Sequence, residues 1–280
     1  MQVGFIGTGS MGSILIRSFI TSRALSPEQI IAFNRTPSKA LILSEEFPGL
    51  TVGQNNIDVV HKSRFLFLCM KPFEYRNVLE QIQPHLTNQH TVITITSPIR
   101  LTDIEQLVPC PVARIVPSIT NAAKSGVTLI EFGSRVTEEL KNQLLSLASS
   151  ISQPLEIKHA NLRIASDISS CGPAFISYIL QQMISSAVQD YKISEDAATY
   201  LTSQMMIGMA DLLKQQIFSL PSLQERVCVP GGITGEGLSA LTEQVPGLFQ
   251  EVFRRTHAKF AEDTAEMREH LFGNQQNRSE

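Results

Sequence analysis

Three glycines near the start of the chain have the spacing of a phosphate-binding loop. Gly7, Gly9 and Gly12 form the pattern G-x-G-x-x-G, directly after an apolar run and at the start of a helical pattern. In that setting the first glycine allows a tight turn, the second lets the backbone approach a pyrophosphate, and the third lets the helix pack on the sheet. Free amides and the dipole at the helix start then attract the phosphates. The predicted dinucleotide loop comprises Gly7, Thr8, Gly9, Ser10, Met11 and Gly12.

The end of the second predicted strand indicates which dinucleotide is bound. NAD-binding folds carry an Asp or Glu there, which accepts hydrogen bonds from the ribose 2′-hydroxyl. This chain has Asn34, Arg35 and Thr36 instead, so no carboxylate at this position repels a phosphate. The guanidinium of Arg35 matches phosphate geometry, and Asn34 and Thr36 add donors. The sequence favours NADP(H), with NAD(H) as the second possibility; the alternative is an ordinary surface arginine at a helix start.

Two further segments could bind charged groups. Met70, Lys71 and Pro72 follow the predicted strand 65–69, at the edge where open α/β sheets bind ligands, and Lys71 faces either a ligand anion or solvent. Later in the chain, Pro-Gly-Gly at 230–232 separates two predicted helices, and Thr234 is the expected N-cap of the second. Amides that converge at such a helix start can hold a small carboxylate; the alternative is a tight connection between helices.

Composition excludes several other functions. A net charge of −3 without a basic block argues against nucleic acid, and no apolar stretch approaches the ~20 residues that a membrane span needs. The four cysteines form no CxxC pair and the histidines no ligand spacing, so no metal site is predicted. Cys171 has no nearby histidine to activate it and is predicted to be a buried structural thiol. Residues 1–7 lack the basic region of a signal peptide, and we expect a cytoplasmic protein.

The elements that would position these residues divide the chain in two. Short apolar runs alternate with helical patterns up to about residue 157, as in βαβ units on a parallel sheet. Beyond about 160 only helices are predicted. We therefore expect an α/β Rossmann domain with a doubly wound, mainly parallel sheet at 1–160, an all-α dimerisation domain at 161–273 and a flexible tail at 274–280. Helices this apolar in so small a domain predict a homodimer. The strand candidates are Val3–Ile6, Ile30–Phe33, Phe65–Cys69, Val92–Ile95, Val112–Val116 and Val127–Ile130.

Taken together, these segments resemble the pyrroline-5-carboxylate reductase family over nearly the whole chain. The resemblance rests on Gly7-x-Gly9-x-x-Gly12, Asn34-Arg35-Thr36, Met70-Lys71-Pro72, Arg114-x-x-Pro117, Gly172-Pro173-Ala174-Phe175 and Pro230-Gly231-Gly232-Ile233-Thr234-x-x-Gly237-Leu238, all in family order. It implies a Rossmann domain followed by an intertwined helical dimerisation domain. It also implies NAD(P)H-dependent reduction of a cyclic imino acid, pyrroline-5-carboxylate, to L-proline.

The resemblance also implies roles for individual residues. Asn56 would contact the cofactor, and the nicotinamide would lie near Thr96 and Ser97. The carboxylate of the imino acid would rest on backbone amides, and the hydroxyl of Thr234 would face the ring nitrogen. The implied substrate-binding residues are Val229, Gly231, Gly232, Ile233 and Thr234.

Several positions depart from the family pattern around the substrate. The family usually has Ser where this chain has Val229, so a hydroxyl donor is missing there. Thr96-Ser97-Pro98 and Ser170-Cys171-Gly172 are similar to the ComER late-competence branch of the family. The alternative function is therefore a catalytically weak, NADP-binding regulatory protein of the ComER type. A β-hydroxyacid dehydrogenase is disfavoured, because that class needs a lysine in the first interdomain helix and none occurs between Lys158 and Lys192.

Overall fold

The computed structural model describes residues 2–273, so the tail predicted at 274–280 lies outside the described residues. The chain forms two compact units. We call Met1–Pro173 with Arg255–Glu280 the sheet unit, and Ala174–Arg254 the helical unit. The division predicted at residue 160 marks where the strand pattern stops, whereas the compact units follow packing, which groups residues 161–173 with the sheet.

The sheet unit is built on one eight-stranded sheet in the order β3-β2-β1-β4-β5-β6-β7-β8. All neighbouring strands are parallel except β6 and β7, which are antiparallel. The order reverses at β1, which lies between β2 and β4, and this is the point where doubly wound sheets bind ligands. The strands are β1 (Val3–Ile6), β2 (Ile30–Phe33), β3 (Thr51–Val52), β4 (Phe65–Leu68), β5 (Thr91–Thr94), β6 (Val112–Val116), β7 (Val127–Phe132) and β8 (Gln153–Glu156).

The six predicted strands are present; three have the predicted ends, and the ends of the other three differ by one or two residues. β3 and β8 are not among the predicted strands. Both lie at the edges of the sheet, where one side of a strand is not covered by a neighbour. β3 has only two residues, and β8 carries polar residues and a proline, so neither has the continuous apolar run of a strand buried on both faces.

Twelve α-helices connect and follow these strands within residues 2–273. Short 3₁₀ turns and one π-helical turn, Asp167–Cys171, lie between them. No strand follows β8 in the described chain, as predicted. The helices are α1 (Ser10–Thr21), α2 (Pro37–Glu46), α3 (Asn56–His61), α4 (Tyr75–Ile82), α5 (Leu101–Leu107), α6 (Glu138–Ser149), α7 (Leu162–Ser166), α8 (Gly172–Tyr191), α9 (Glu195–Lys214), α10 (Leu220–Val227), α11 (Ile233–Gln244) and α12 (Leu248–Phe272).

Helices cover both faces of the sheet. Alternate side chains of β4 point to opposite faces, with Phe65 and Phe67 in one core and Leu66 and Leu68 in the other. The first core is closed by α1, α2 and α6, and the second by α3, α4, α5 and the end of α12. This two-sided packing around a parallel sheet confirms the predicted Rossmann-type fold.

The helical unit contains α8 to α11 and the start of α12. Ser194 caps α9, as its hydroxyl accepts a hydrogen bond from the amide of Ala197 at 3.3 Å. In contrast to the sheet unit, only Ala198 and Thr202 are buried here. The all-helical composition predicted for this part of the chain is confirmed, and its apolar side chains are largely exposed.

Candidate dinucleotide and substrate sites

The glycine loop connects β1 to α1 at the centre of the sheet. Gly7 has a φ of +99°, in the left-handed region that favours glycine, and an added Cβ would lie 2.6 Å from the carbonyl oxygen of Cys69. At Gly12 an added Cβ would lie 2.3 Å from the carbonyl oxygen of Gly7. These two glycines are therefore required by the protein's own packing, which agrees with the tight turn and the close helix packing predicted for them.

Gly9 is different, because an added Cβ would meet no atom of the protein within 4 Å. It is the N-cap residue of α1, followed by exposed Ser10 and half-buried Met11, whose amides are at the open helix start. The neighbouring Thr8 is buried, and its hydroxyl oxygen has no hydrogen-bond partner in the described chain. Open space beside Gly9 and a buried, unsatisfied hydroxyl fit a loop that receives a polar ligand.

Asn34 connects the loop to the end of β2. Its side-chain oxygen accepts a hydrogen bond from the amide of Thr8 at 2.9 Å, and its Nδ2 donates to the carbonyl of Thr36 at 3.1 Å. The side chain predicted to add a donor for the cofactor therefore also holds the glycine loop in place. Thr36 is the N-cap residue of α2, with Pro37 at the first helical position.

Arg35 lies at the end of β2 and its side chain is 88% exposed. Its Nη1 forms an ion pair with Oε1 of Glu74 at 2.9 Å. Glu74 belongs to the 3₁₀ turn Pro72–Glu74, which follows β4. The end of β2 carries no carboxylate of its own, but one comes from the turn after β4, because the sheet order places β2 and β4 on either side of β1.

The other residues predicted for the cofactor lie at the same edge of the sheet. Met70, Lys71 and Pro72 follow β4, and Lys71 is exposed. Asn56 begins α3 after β3, and its Nδ2 donates to the side-chain oxygen of Gln81 at 2.9 Å. The carboxyl ends of parallel strands therefore bring together segments that are separated in the sequence.

A fully buried arginine supports the loop after β5, which holds Thr96 and Ser97. Arg114 of β6 donates from Nε to the carbonyl of Thr96 at 3.0 Å and from Nη2 to the carbonyl of Ile99. Its Nη1 is paired with Glu131 of β7. Burial lowers the pKa of the Arg114 guanidinium from its ordinary value, and the carboxylate of Glu131 opposes that shift. One side chain thus fixes both ends of the loop.

Tyr75 orders the start of the same loop. Its hydroxyl is buried and lies 2.9 Å from the carbonyl of Leu68 and 2.7 Å from Oγ1 of Thr94. Since the carbonyl can only accept, Tyr75 donates to it and the Thr94 hydroxyl donates to Tyr75. The amide of Thr96 in turn donates to Oγ1 of Thr94 at 3.3 Å. Burial raises the pKa of the Tyr75 hydroxyl, so it remains protonated for this role.

The predicted substrate segment forms a turn between α10 and α11. Pro230 and Gly231 are its central residues, Gly231 has a φ of +72°, and the amide of Gly232 donates to the carbonyl of Val229 at 2.9 Å. This is the geometry of a type II turn, which requires glycine at its third position. The amide of Gly232 is therefore already used, contrary to its expected role as a free donor for a carboxylate.

The N-cap of α11 is Gly232 rather than Thr234, so that prediction is wrong. Glycine can serve as an N-cap, and the helix starts two residues earlier than the hydroxyl side chain of Thr234 suggested. Ile233 and Thr234 therefore lie in the first turn, where helix amides have no partner within the helix. The side chains of Val229, Ile233 and Thr234 are exposed.

Cys171 ends the π-helical turn before α8 and is partly exposed, whereas the sequence predicted a buried thiol. Nη2 of Arg163 lies 3.3 Å from its sulfur and 2.8 Å from Oδ1 of the buried Asp167.

Two further observations concern residues 2–273. None of the helices in this range has the length and apolar character needed to cross a bilayer. The same residues contain no group of three or more His, Cys, Asp or Glu side chains arranged to hold a metal ion.

Sequence reasoning missed the roles of Glu74, Tyr75 and Thr94. Arg114 did carry a local signal, since a charged residue inside the apolar run of β6 must find a buried partner. Glu74 carried no local sequence signal, because its contact with Arg35 depends only on which strands lie beside β1.

Comparisons with known proteins agree with this architecture. Residues 159–263 match the family described as pyrroline-5-carboxylate reductase dimerisation. Residues 2–98 match the family described as NADP oxidoreductase coenzyme F420-dependent. The crystal structure of Plasmodium falciparum pyrroline carboxylate reductase with NADP bound has a TM-score of 0.80 and 21% sequence identity, covering 95% of this chain and 97% of that one.

Two relatives from Bacillus subtilis (strain 168) cover almost the whole chain. Pyrroline-5-carboxylate reductase 3 is 27% identical over 260 residues, which are 92% of this chain and 95% of the relative. ComE operon protein 4 is 44% identical over 263 residues, which are 94% of this chain and 96% of the relative. The chain therefore belongs to the pyrroline-5-carboxylate reductase family, within the branch that contains ComE operon protein 4.

Proposed function

We propose that this protein is an NADP(H)-dependent reductase that transfers hydride to a cyclic imino acid, pyrroline-5-carboxylate or a close analogue. The observation that carries the proposal is the glycine loop: open space beside Gly9 next to the buried, unsatisfied hydroxyl of Thr8. At the start of α1 these two features leave both room and a free polar group for a ligand. We further propose that the protein acts in the cytoplasm.

The residues at this edge of the sheet fit a dinucleotide. The amides of Ser10 and Met11 would hold the pyrophosphate at the start of α1, where the helix dipole favours negative charge. Arg35 would hold the 2′-phosphate, with Thr36 beside it, and Lys71 supplies a further exposed cation. Remaining contacts are assigned to Asn56, Met70, Pro72, Thr96 and Ser97.

A bound NADPH supplies the hydride, so the protein's own task is to orient the substrate. We assign its carboxylate to the first-turn amides of Ile233 and Thr234, with Gly231 leaving room for close approach. The hydroxyl of Thr234 would donate to, or accept from, the ring nitrogen. A protonated imine is already electrophilic, so no strong general acid is required.

A second candidate is a catalytically weak NADP-binding regulator of the ComER type. The observation that favours it is Val229, whose exposed apolar side chain stands where the family resemblance implies a serine hydroxyl. Losing one hydrogen bond to a charged group costs about 1.5–3 kcal/mol, or roughly 10- to 150-fold in affinity. The relative with 44% identity is named for the ComE operon rather than for the reductase reaction.

NADPH oxidation with a set of cyclic imino acids separates the two candidates. For the reductase we expect turnover with pyrroline-5-carboxylate or an analogue, and Thr234→Ala should lower kcat by about tenfold or more, because one oriented hydrogen bond is lost. The Kd for NADPH should not change. Thr242→Ala is the matched control, as this exposed threonine lies on the same helix and its hydroxyl bonds only to the carbonyl of Leu238 at 2.8 Å.

Tight NADPH binding without turnover on any of these substrates would favour the regulator. Absence of binding to either reduced dinucleotide would overturn both candidates. A loss of activity in Thr242→Ala equal to that in Thr234→Ala would remove the assigned role of the Thr234 hydroxyl.

We also propose a homodimer through the helical unit. Its helices expose many large apolar side chains, and a unit with almost no buried residues needs a covering surface. The match of residues 159–263 to a dimerisation family supports this. The exposed apolar residues of α8 and α9 include Ile176, Tyr178, Ile179, Met183, Tyr200, Leu201, Met205 and Ile207.

Size-exclusion chromatography with light scattering should give twice the chain mass of 30.9 kDa at micromolar concentration. Met205→Glu, which places a charge on the apolar surface of α9, should increase the monomer fraction. Gln89→Glu adds the same charge at an exposed position of the sheet unit and should leave the mass unchanged. A wild-type monomer would contradict the proposal.

A further inference from the structure

We propose that Glu74 is a specificity-determining residue that weakens the preference for NADP(H) over NAD(H) by competing for Arg35. This inference rests on the proposed function, because it assumes that a dinucleotide binds at the glycine loop. It assigns a role to a residue that no sequence motif of the site includes.

The ion pair lies where the ligand specificity of a doubly wound sheet is decided. Arg35 is the second residue after β2, and Glu74 lies in the turn after β4. Strands β2 and β4 flank β1. The ion pair between Arg35 and Glu74 therefore joins the two loops on either side of the glycine loop. The Nη1 to Oε1 distance of 2.9 Å is that of a charge-assisted hydrogen bond.

A carboxylate at this place favours one dinucleotide over the other. In NAD-binding folds an acidic residue at the end of the second strand accepts hydrogen bonds from the ribose 2′-hydroxyl. Here Asn34 and Arg35 follow the second strand, and Glu74 brings the carboxylate from the turn after β4. A 2′-phosphate must displace Glu74 from the guanidinium and then remain close to its negative charge, whereas a 2′-hydroxyl can donate to it.

Hydrogen bonds hold the backbone around Glu74, so the carboxylate leaves Arg35 by rotation of its own side chain. The Glu74 amide donates to the carbonyl of Lys71 at 3.0 Å, and the next residue, Tyr75, is buried with its hydroxyl bonded to Leu68. Nη1 of Arg76 donates to the carbonyl of His270 at 3.0 Å. Nε2 of His270 lies 3.0 Å from the carbonyl of Phe73. Only rotation of the Glu74 side chain is left, and the competition persists after displacement.

Glu74→Gln tests the competition, because it removes the charge and keeps the shape. Adenosine 2′,5′-bisphosphate and AMP differ only in the 2′-phosphate, and calorimetric titration of the full-length protein with both isolates that group. Glu74→Gln should lower the Kd for the bisphosphate about 3- to 10-fold and leave the Kd for AMP unchanged or slightly raised. NADPH and NADH, followed by nicotinamide fluorescence, should show the same pattern.

Two further variants make the test specific. Glu80→Gln removes the same charge from the next turn of the chain, where Glu80 pairs with Arg76 at 2.9 Å, and should leave the bisphosphate Kd unchanged. In an Arg35→Gln background, which itself weakens bisphosphate binding, Glu74→Gln should give no improvement greater than that of Glu80→Gln. This dependence distinguishes direct competition from a general change in net charge.

The outcomes separate this inference from the proposed function. If the wild-type protein binds the dinucleotides but Glu74→Gln has the same affinities, or Glu80→Gln improves binding equally, the role of Glu74 is overturned and the reductase proposal stands. If the wild-type protein binds neither dinucleotide, the proposed function fails and this inference fails with it.

Discussion

Replacing Gly9 with alanine is expected to weaken NADPH binding about 10- to 100-fold while leaving the protein folded. The added methyl would meet no protein atom within 4 Å, so it would occupy only space that a pyrophosphate needs. Forcing extra volume into a close contact typically costs about 1–3 kcal/mol, which corresponds to roughly 5- to 150-fold in affinity. Titration with NADPH and thermal unfolding of the same sample measure the two effects separately.

Gly12→Ala is the matched comparison for this prediction. Its Cβ would lie 2.3 Å from the carbonyl oxygen of Gly7, so the backbone of the loop must shift. We expect Gly12→Ala to lower the unfolding midpoint by several degrees, and Gly9→Ala by at most a few. NADPH binding by Gly9→Ala at wild-type affinity would contradict the assignment of this loop to the pyrophosphate.

Arg114→Met should cause the largest loss of stability among the substitutions considered. The guanidinium is fully buried, pairs with Glu131 and donates to the carbonyls of Thr96 and Ile99. Removing one partner of a buried ion pair typically lowers the free energy of unfolding by about 3–5 kcal/mol. Here the Glu131 side chain is 15% exposed and its Oε1 lies 3.3 Å from Nδ1 of His159, so we expect a loss toward the lower end of that range. Urea unfolding measures this loss.

A second arginine–glutamate pair provides the control. Arg17 and Glu46 lie 2.7 Å apart, but each side chain is 40% exposed. Arg17→Gln should therefore reduce the free energy of unfolding by at most about 1 kcal/mol. Arg114→Met combined with Glu131→Gln should recover part of the loss, since the uncompensated carboxylate is then gone. Equal losses for Arg114→Met and Arg17→Gln would show that Arg114 does not carry the buried charge network described here.

Much of the sheet unit could be predicted from the sequence because its signals are local. Apolar runs such as Phe65–Leu68 are needed when both faces of a strand are buried, and the helical period follows from which side chains face the sheet. The glycine pattern is local as well: Gly7 requires a positive φ and Gly12 a close approach to the backbone. These constraints act over a few residues and are therefore visible in the order of residue types.

The failures of prediction also have physical reasons. β3 and β8 are edge strands with little apolar character, so burial left only a weak pattern. The hydroxyl of Thr234 suggested an N-cap, but Gly232 caps α11 because the preceding type II turn already sets the chain direction. At the start of α11, the neighbouring turn therefore overrode the N-cap preference of Thr234.

The sequence alone determined the family, the Rossmann-type sheet, the glycine loop and the presence of a cation at the end of β2. Tertiary structure decided what surrounds that cation. Strand order places β4 on the other side of β1 from β2, and only this arrangement brings Glu74 to Arg35 and Arg114 to the loop of Thr96. Charge interactions depend on distance in space, which residue order specifies only once the chain has folded.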